Sequence, residues 1–460
     1  MKNLFDREIT FLSIIKFTIP TVIMMVFFSM YTIIDGVFIS RFVGADALSS
    51  VNIVYPVISL LTAIAVMFAT GGSAIVAKTM GEKRLEEARE KFTLITVCSI
   101  FFGIIVAVLC ILFIKPIIMF LGSTDNLYNN CYYYLLIMII FTPFLILKMY
   151  FDYFFVTAGK ARLGLVTSIL GGIINVVLDY VFIVIFKMGV SGAAFATSIG
   201  YAIPSIIGII YFLDKKNTLY FVKFKFDFNT IKNSCTNGIS EMVTQLSSAV
   251  TTFVYNIVMI NFLGADGVAS ITIILYVNFL LIAVYLGFTS GIAPWISYNF
   301  GSKNAKQLKK IIKYSYIYIF LFSLISFIVS RLGSEILIGA FAVKGTDVYN
   351  ISLNGFDIFS FSFLISGFNM FTIGMFTAFS NGKISAVISL MRTLVLFLIG
   401  ISVFPAFLGV NGVWIVVPFS EILTLILGFT FVYKFRDEYM YGNILLFIER
   451  TKFGNFRSVC

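Results

Sequence analysis

The chain contains no histidine. That removes the commonest metal ligand and the side chain whose charge ordinarily changes near neutral pH. Charge is scarce as well: 12% of the residues are Asp, Glu, Lys or Arg, against about one quarter in soluble domains. So little charge cannot wet a globular surface. The five cysteines, Cys98, Cys110, Cys131, Cys235 and Cys460, show no CxxC spacing and read as isolated thiols. No Walker A sequence, no HExxH and no cluster of metal-ligand types occurs. The chain therefore offers no catalytic constellation, and neither an enzyme nor a resident cofactor is expected.

What the chain has is apolar length. Hydrophobic residues make up 60% of it, and mean hydropathy is +1.01. Stretches long enough to cross a bilayer as a helix, about 20 residues, recur from Phe11 to Tyr433. They predict spans at 11–38, 51–78, 92–119, 131–157, 164–186, 190–213, 236–262, 268–296, 312–332, 354–379, 384–408 and 411–434. A membrane barrel shows short alternating segments instead. The fold class is thus an all-α integral membrane protein of about twelve transmembrane helices. The first run is too long for a signal peptide and holds Pro20 and Asp35, so it is read as the first span.

The net charge of +11 is a topology signal rather than a nucleic-acid footprint. Lys78, Lys83, Arg84, Arg89 and Lys91 lie between spans two and three. Lys160 and Arg162 follow span four, and Lys215, Lys216, Lys223, Lys225 and Lys232 follow span six. Lys303, Lys306, Lys309, Lys310 and Lys313 follow span eight, and both tails are basic. The alternate loops hold only Arg41, Lys115, Lys187, Arg331 and Lys344. By the positive-inside rule both termini are expected to be cytoplasmic, in a multi-pass protein of the cell membrane.

A repeat runs through the chain. Residues 42–50 read FVGADALSS and residues 262–270 read FLGADGVAS, an offset of 220. Without a gap, the same offset pairs Gly71 with Gly291, Gly81 with Gly301, Gly189 with Gly409 and Gly192 with Gly412. Each half holds six spans, so both begin on the same side of the membrane: a parallel repeat. In transporters so built the substrate site lies at mid-bilayer between the halves, which rock against each other. The expected organisation is an N-terminal six-helix lobe at 1–213, a cytoplasmic linker at 214–235, a C-terminal lobe at 236–434 and a cytoplasmic tail at 435–460. The charged stretches 81–92 and 301–313 are expected to have helical character and to lie on the cytoplasmic surface.

Ionisable groups in hydrocarbon are costly and are functional candidates by default. They are Asp35, Lys148, Asp152, Asp179, Glu241, Arg392 and Glu421. At about 1.5 Å per residue, Asp35 lies in the outer part of span one, Asp179 in the outer half of span five and Thr197 in the outer half of span six. Asn175 shares a helix face with Asp179. Four oxygen-bearing side chains thus sit at one depth of the first lobe. They suit an alkali cation such as Na+, or a proton held between crowded carboxylates. Asn175 and Thr197 also suit plain interhelical hydrogen bonds.

Lys148 and Asp152, four apart, read as an ion pair. Arg392 and Glu241 either pair with each other or line an inward-facing cavity. Glu421 either attracts a cationic substrate or neutralises Arg392. Asp46 and Asp266 follow matched Gly-Ala pairs and read as caps or turns. Asp357 lies near the outer end of span ten, in water.

The segment IPTVIMMVFFSMYTIIDGVFISRFVGADALSSVN, the stretch TGGSAIVAKTMGEKRLEEA, the AGKAR loop after span four and GGIINVVLDYVFI in span five together resemble the multidrug and toxic compound extrusion (MATE) family, in its bacterial MepA-like and DinF-like branch. The resemblance covers nearly the whole chain. It implies a twelve-helix, two-lobe exporter driven by Na+ or H+, with a first-lobe cation site at Asp35, Asn175, Asp179 and Thr197 and a kink proline at Pro20. Some sodium-coupled members use an acidic residue in span ten; the matching position here is about Asn369, an amide.

The expected partners are small organic substrates and the lipid bilayer, with no nucleic acid, and the chain is expected to act as a monomer. The rival reading is a lipid or lipid-linked oligosaccharide flippase of the same superfamily, for which Lys148 and Arg392 would receive phosphate.

Overall fold

The computed structural model describes residues 8–442. No water is available in a bilayer core to satisfy backbone groups, so each apolar run must close its hydrogen bonds within itself, as a helix. Among the described residues ten helices are long and apolar enough to cross a membrane: Phe11–Val43, Asp46–Gly81, Leu85–Leu112, Ala161–Ile185, Gly189–Leu213, Phe228–Gly301, Ala305–Leu332, Asp347–Ala378, Gly382–Leu408 and Val410–Lys434. An eleventh span is bent by 56°, where Asp125–Ile140 meets Thr142–Thr157. Pro143 starts the second half of that span, where its missing N–H costs nothing. The 74-residue helix is two spans: Gly264, at φ 63° and ψ −145°, breaks it. Spans one to twelve are taken in that chain order, span four being the bent pair and spans seven and eight being 228–263 and 265–301.

The repeat is written in the backbone. Positive φ occurs at Gly44 and Gly264, at Gly189 and Gly409, and at Lys83 and Lys303, each pair 220 residues apart. The carbonyls of Asp46 and Asp266, which stand in first helical turns after those breaks, accept from Ser50 and Ser270 Oγ, both at 2.7 Å.

The charged stretches 81–92 and 301–313 have the expected helical character, but not as separate helices. A three-residue turn follows Gly81 and Gly301, and the rest forms the first turns of spans three and nine, which run unbroken from Leu85 and Ala305. The connection between the lobes is also shorter than expected, because span seven begins at Phe228. Its extended part folds onto the first lobe. Leu219 is buried, Phe221 stacks on Phe92 at 5.1 Å, Arg89 Nε donates to the Thr218 carbonyl at 3.0 Å, and Thr93 Oγ1 accepts from Val222 N at 3.1 Å. Most of the basic tail residues lie outside the described residues, as does Cys460.

The lobes meet at the end that carries the basic turns. A Cβ on Gly71 of span two would overlap the Ser234 carbonyl of span seven, and one on Gly238 would overlap that of Met67. The mirrored contact joins spans one and eight: Gly287 lies against Thr21 and Val22, and Gly291 against Thr18 and Thr21. Pro20, buried inside span one, sits in the middle of that contact. Its ring removes one ladder hydrogen bond and allows a bend. Polar contacts add to the seam. Tyr318 OH donates to the Phe11 carbonyl at 2.7 Å, Ile9 N to Gln307 Oε1 at 3.2 Å, and Lys310 Nζ pairs with Glu8 at 2.8 Å.

Candidate cation site and central cavity

Small residues bring the first-lobe site together. A Cβ on Gly172 would stand 2.6 Å from Phe27 Cε1 and 3.0 Å from Tyr31 Cδ1. Span one therefore packs on span five along the face carrying Phe27, Tyr31 and Asp35, spaced four apart. One and two turns beyond Gly171 and Gly172 lie Asn175 and Asp179. Span six closes on the same face: a Cβ on Gly171 would stand 2.6 Å from the Gly200 carbonyl, and one on Gly200 would stand 3.1 Å from Asn175 Cβ. The three helices converge so that Asp35 and Asp179 come within hydrogen-bonding reach of each other, while Asn175 Nδ2 donates to Thr197 Oγ1 at 3.3 Å.

The four side chains picked by depth thus form one group. Asp179, Asn175 and Thr197 are 0%, 2% and 7% exposed. Asp35 Oδ1, Asn175 Oδ1 and both carboxylate oxygens of Asp179 are buried with no hydrogen-bond donor. Neither aspartate forms an ion pair with a Lys or Arg among the described residues. The backbone widens to a π-helical turn immediately after the site on two helices, at Ile39–Val43 and Tyr180–Ile185. Such turns free backbone groups and recur at functional sites.

Three tyrosines complete the surroundings: Tyr31 and Tyr134, both buried, and Tyr201 all lie close enough to feel the charge of Asp35. Sequence reasoning missed them. The chain holds 23 tyrosines, and only the Tyr31 spacing of four from Asp35 offered a signal.

The remaining membrane charges divide into pairs and one single group. Lys148 Nζ binds Asp152 Oδ2 at 2.8 Å, Ser168 Oγ donates to Asp152 Oδ1 at 3.0 Å, and the ammonium lies 4.8 Å from the Phe28 ring centroid. In the second lobe Arg392 pairs with Glu421 rather than with Glu241. Its Nη2 and Nε donate to Glu421 Oε1 at 2.7 and 3.0 Å. Asn369 Nδ2 donates to Glu421 Oε2 at 2.6 Å and to its carbonyl at 2.8 Å. The amide Asn369 of span ten thus holds an acid from span twelve. Lys148 and Asp152 form the ion pair read from their spacing, and of its two readings Glu421 takes the one that neutralises Arg392; Lys148, Asp152 and Glu421 are each 4% exposed or less.

A cavity lies between the lobes. Thr70, Ser73 and Tyr153 line it from the first lobe, and Glu241, Thr289 and Arg392 from the second. Glu241 makes no hydrogen bond and no ion pair among the described residues.

Two repeat-related lobes in the membrane, a buried acidic cluster within one and a cavity between them make up the architecture of a membrane transporter. The chain belongs to the MatE family, whose profile matches it twice, over residues 20–181 and 241–401, once in each lobe. It is 23% identical over 445 residues to the multidrug export protein MepA of Staphylococcus saprophyticus, with 94% of this chain and 96% of that protein covered. A MATE crystallised in complex with MaL6 superposes with a TM-score of 0.90 at 21% identity, covering 95% of this chain and 99% of that one. The outward-facing conformation of a multidrug resistance MATE transporter superposes with a TM-score of 0.88 at 22% identity, covering 93% and 96%.

Proposed function

We propose that this protein is a secondary antiporter. It exports drug-like, cationic or amphipathic small organic molecules across the bacterial cell membrane in exchange for Na+ or H+. The observation that carries this reading is the set of donorless oxygens on Asp35, Asn175 and Asp179. A buried carboxylate needs a compensating charge, and among the described residues no Lys or Arg pairs with either aspartate. A cation from solution is the remaining source. Two carboxylates, an amide oxygen and the Thr197 hydroxyl match Na+ in hardness, and the facing carboxylates can equally share a proton.

Filling this site from one side and emptying it to the other while the lobes rock exchanges one cation species against cargo in the lobe-interface cavity. The export function named for MepA supports the cargo class. A flippase would need bare cations for phosphate, whereas Lys148 and Arg392 are each paired with a carboxylate. The basic turns support a cytoplasmic side for the end where the lobes meet and for both termini.

The test is transport of a fluorescent organic cation in proteoliposomes with the Na+ and pH gradients imposed separately. One of the two gradients is expected to drive accumulation against a concentration difference. Equal rates with both gradients collapsed would overturn antiport.

A further inference from the structure

Two charged side chains line the cavity between the lobes, Glu241 of span seven and Arg392 of span eleven. Of these two, only Glu241 has no ion-pair partner among the described residues. Arg392 is gripped by Glu421 through three contacts of 2.7 to 3.1 Å. Asn369 orients that carboxylate from the other side. Glu421 is 3% exposed and is not part of the cavity wall. In the first lobe Lys148 and Asp152 cancel each other in the same way.

We propose that Glu421, positioned by Asn369, sets the polarity of the substrate cavity: by cancelling Arg392 it leaves the Glu241 carboxylate as the single unbalanced charge, so that the cavity selects monocations. This inference rests on the reading of the chain as an exporter of small organic molecules.

The physical basis is charge addition at short range. Inside a protein a unit charge is felt across several ångströms with little screening, so a residue that never touches the substrate can still determine which substrates bind. Glu421 acts through Arg392 and is a positioning residue. Its loss would release a full positive charge on the cavity wall beside Glu241.

The experiment measures equilibrium binding to the purified full chain in detergent. The probes are tetraphenylphosphonium, a permanent monocation, and triphenylphosphine oxide, a neutral molecule of related shape. Glu421→Gln neutralises the cavity as a whole and is expected to weaken tetraphenylphosphonium by about tenfold or more. Triphenylphosphine oxide should change by less than about twofold, since it carries no net charge for the wall to repel. Glu241→Gln should show the same split. Arg392→Gln exposes a second carboxylate charge and should tighten the cation. The double variant Arg392→Gln, Glu421→Gln should regain the affinity that Glu421→Gln lost. Because it removes both members of a buried pair, it keeps the idea testable even if Glu421→Gln alone does not fold.

Equal losses for both probes in Glu421→Gln would overturn the proposal and assign the residue to packing. So would a double variant that stays as weak as Glu421→Gln, or an Arg392→Gln variant that weakens the cation. A wild-type protein that binds neither probe would overturn this proposal and the exporter reading together. One that binds the cation but ignores these substitutions would overturn this proposal alone.

Discussion

Gly81 and Gly301 hold each other's neighbours. A Cβ on Gly81 would overlap the carbonyl oxygen of Tyr298, and one on Gly301 would overlap that of Lys78. The residues of both contacts are related by the repeat offset, 78 to 298 and 81 to 301. The contact is therefore reciprocal about the pseudo-twofold axis, and it lies at the last turns of spans two and eight. Backbones meet there with no side chain between them, and the seam closes over the end that carries the basic turns. Lys83 Nζ donates to Tyr298 OH across it at 3.1 Å.

Methyl groups should wedge this seam open. Gly81→Ala and Gly301→Ala each place a carbon where a backbone oxygen stands and are expected to destabilise the closed arrangement by about 1–3 kcal/mol. The effect should be the same from either side of the repeat. Thermal unfolding in detergent together with solvent access to a cysteine at Thr70 would check this. Unchanged access in both variants would remove the seam from the transport cycle.

Coupling should depend on the two aspartates and less on the threonine. Asp35→Asn or Asp179→Asn is expected to abolish uphill export while organic cations still bind. Thr197→Ala should weaken coupling only partly, because it removes one neutral ligand. Transport and binding measured on the same preparations separate these outcomes. Coupled export at the wild-type rate by the double aspartate variant would show that the group serves another purpose.

The Lys148–Asp152 pair should behave as buried pairs do. Removing one partner by Lys148→Met leaves an uncompensated carboxylate and is expected to cost about 3 kcal/mol, whereas Lys148→Met with Asp152→Leu should come close to wild-type stability. Melting temperatures of the three proteins in one detergent decide it. A double variant as unstable as the single would mean that the pair does more than balance charge.

Topology is tested by labelling. In a background without the native cysteines, Lys223→Cys should resist an impermeant thiol reagent applied to sealed cells, and Asp125→Cys should react. The reverse pattern would invert the assignment of sides and contradict the loop-charge bias.

Much of the fold was legible because the bilayer makes apolar length the dominant signal. The twelve spans and the 220-residue offset follow from hydropathy and a few matched glycines. Boundaries were less legible where polar turns lead into a helix: the charged stretches after Gly81 and Gly301 show helical character in sequence, but not that spans three and nine begin within them. Depth alone assembled Asp35, Asn175, Asp179 and Thr197, because distance from a span's end converts directly to height in the membrane. Depth says nothing about rotation. That is why Tyr31, Tyr134 and Tyr201 were not singled out, and why Arg392 was left between two acids.

The sequence by itself determined that this chain lies in a membrane, that it is built twice over, and which carboxylates must be compensated. These depend on composition, periodicity and charge, which are properties of the chain before it folds. Only the tertiary structure decided which charges meet. Arg392 and Glu421 are 29 residues apart on different helices, and helix rotation and interhelical packing, through small residues such as Gly171, Gly172 and Gly200, select the partner. The same packing decided that Glu241 lines the cavity without an ion-pair partner among the described residues and that the donorless oxygens of Asp35 and Asp179 come together.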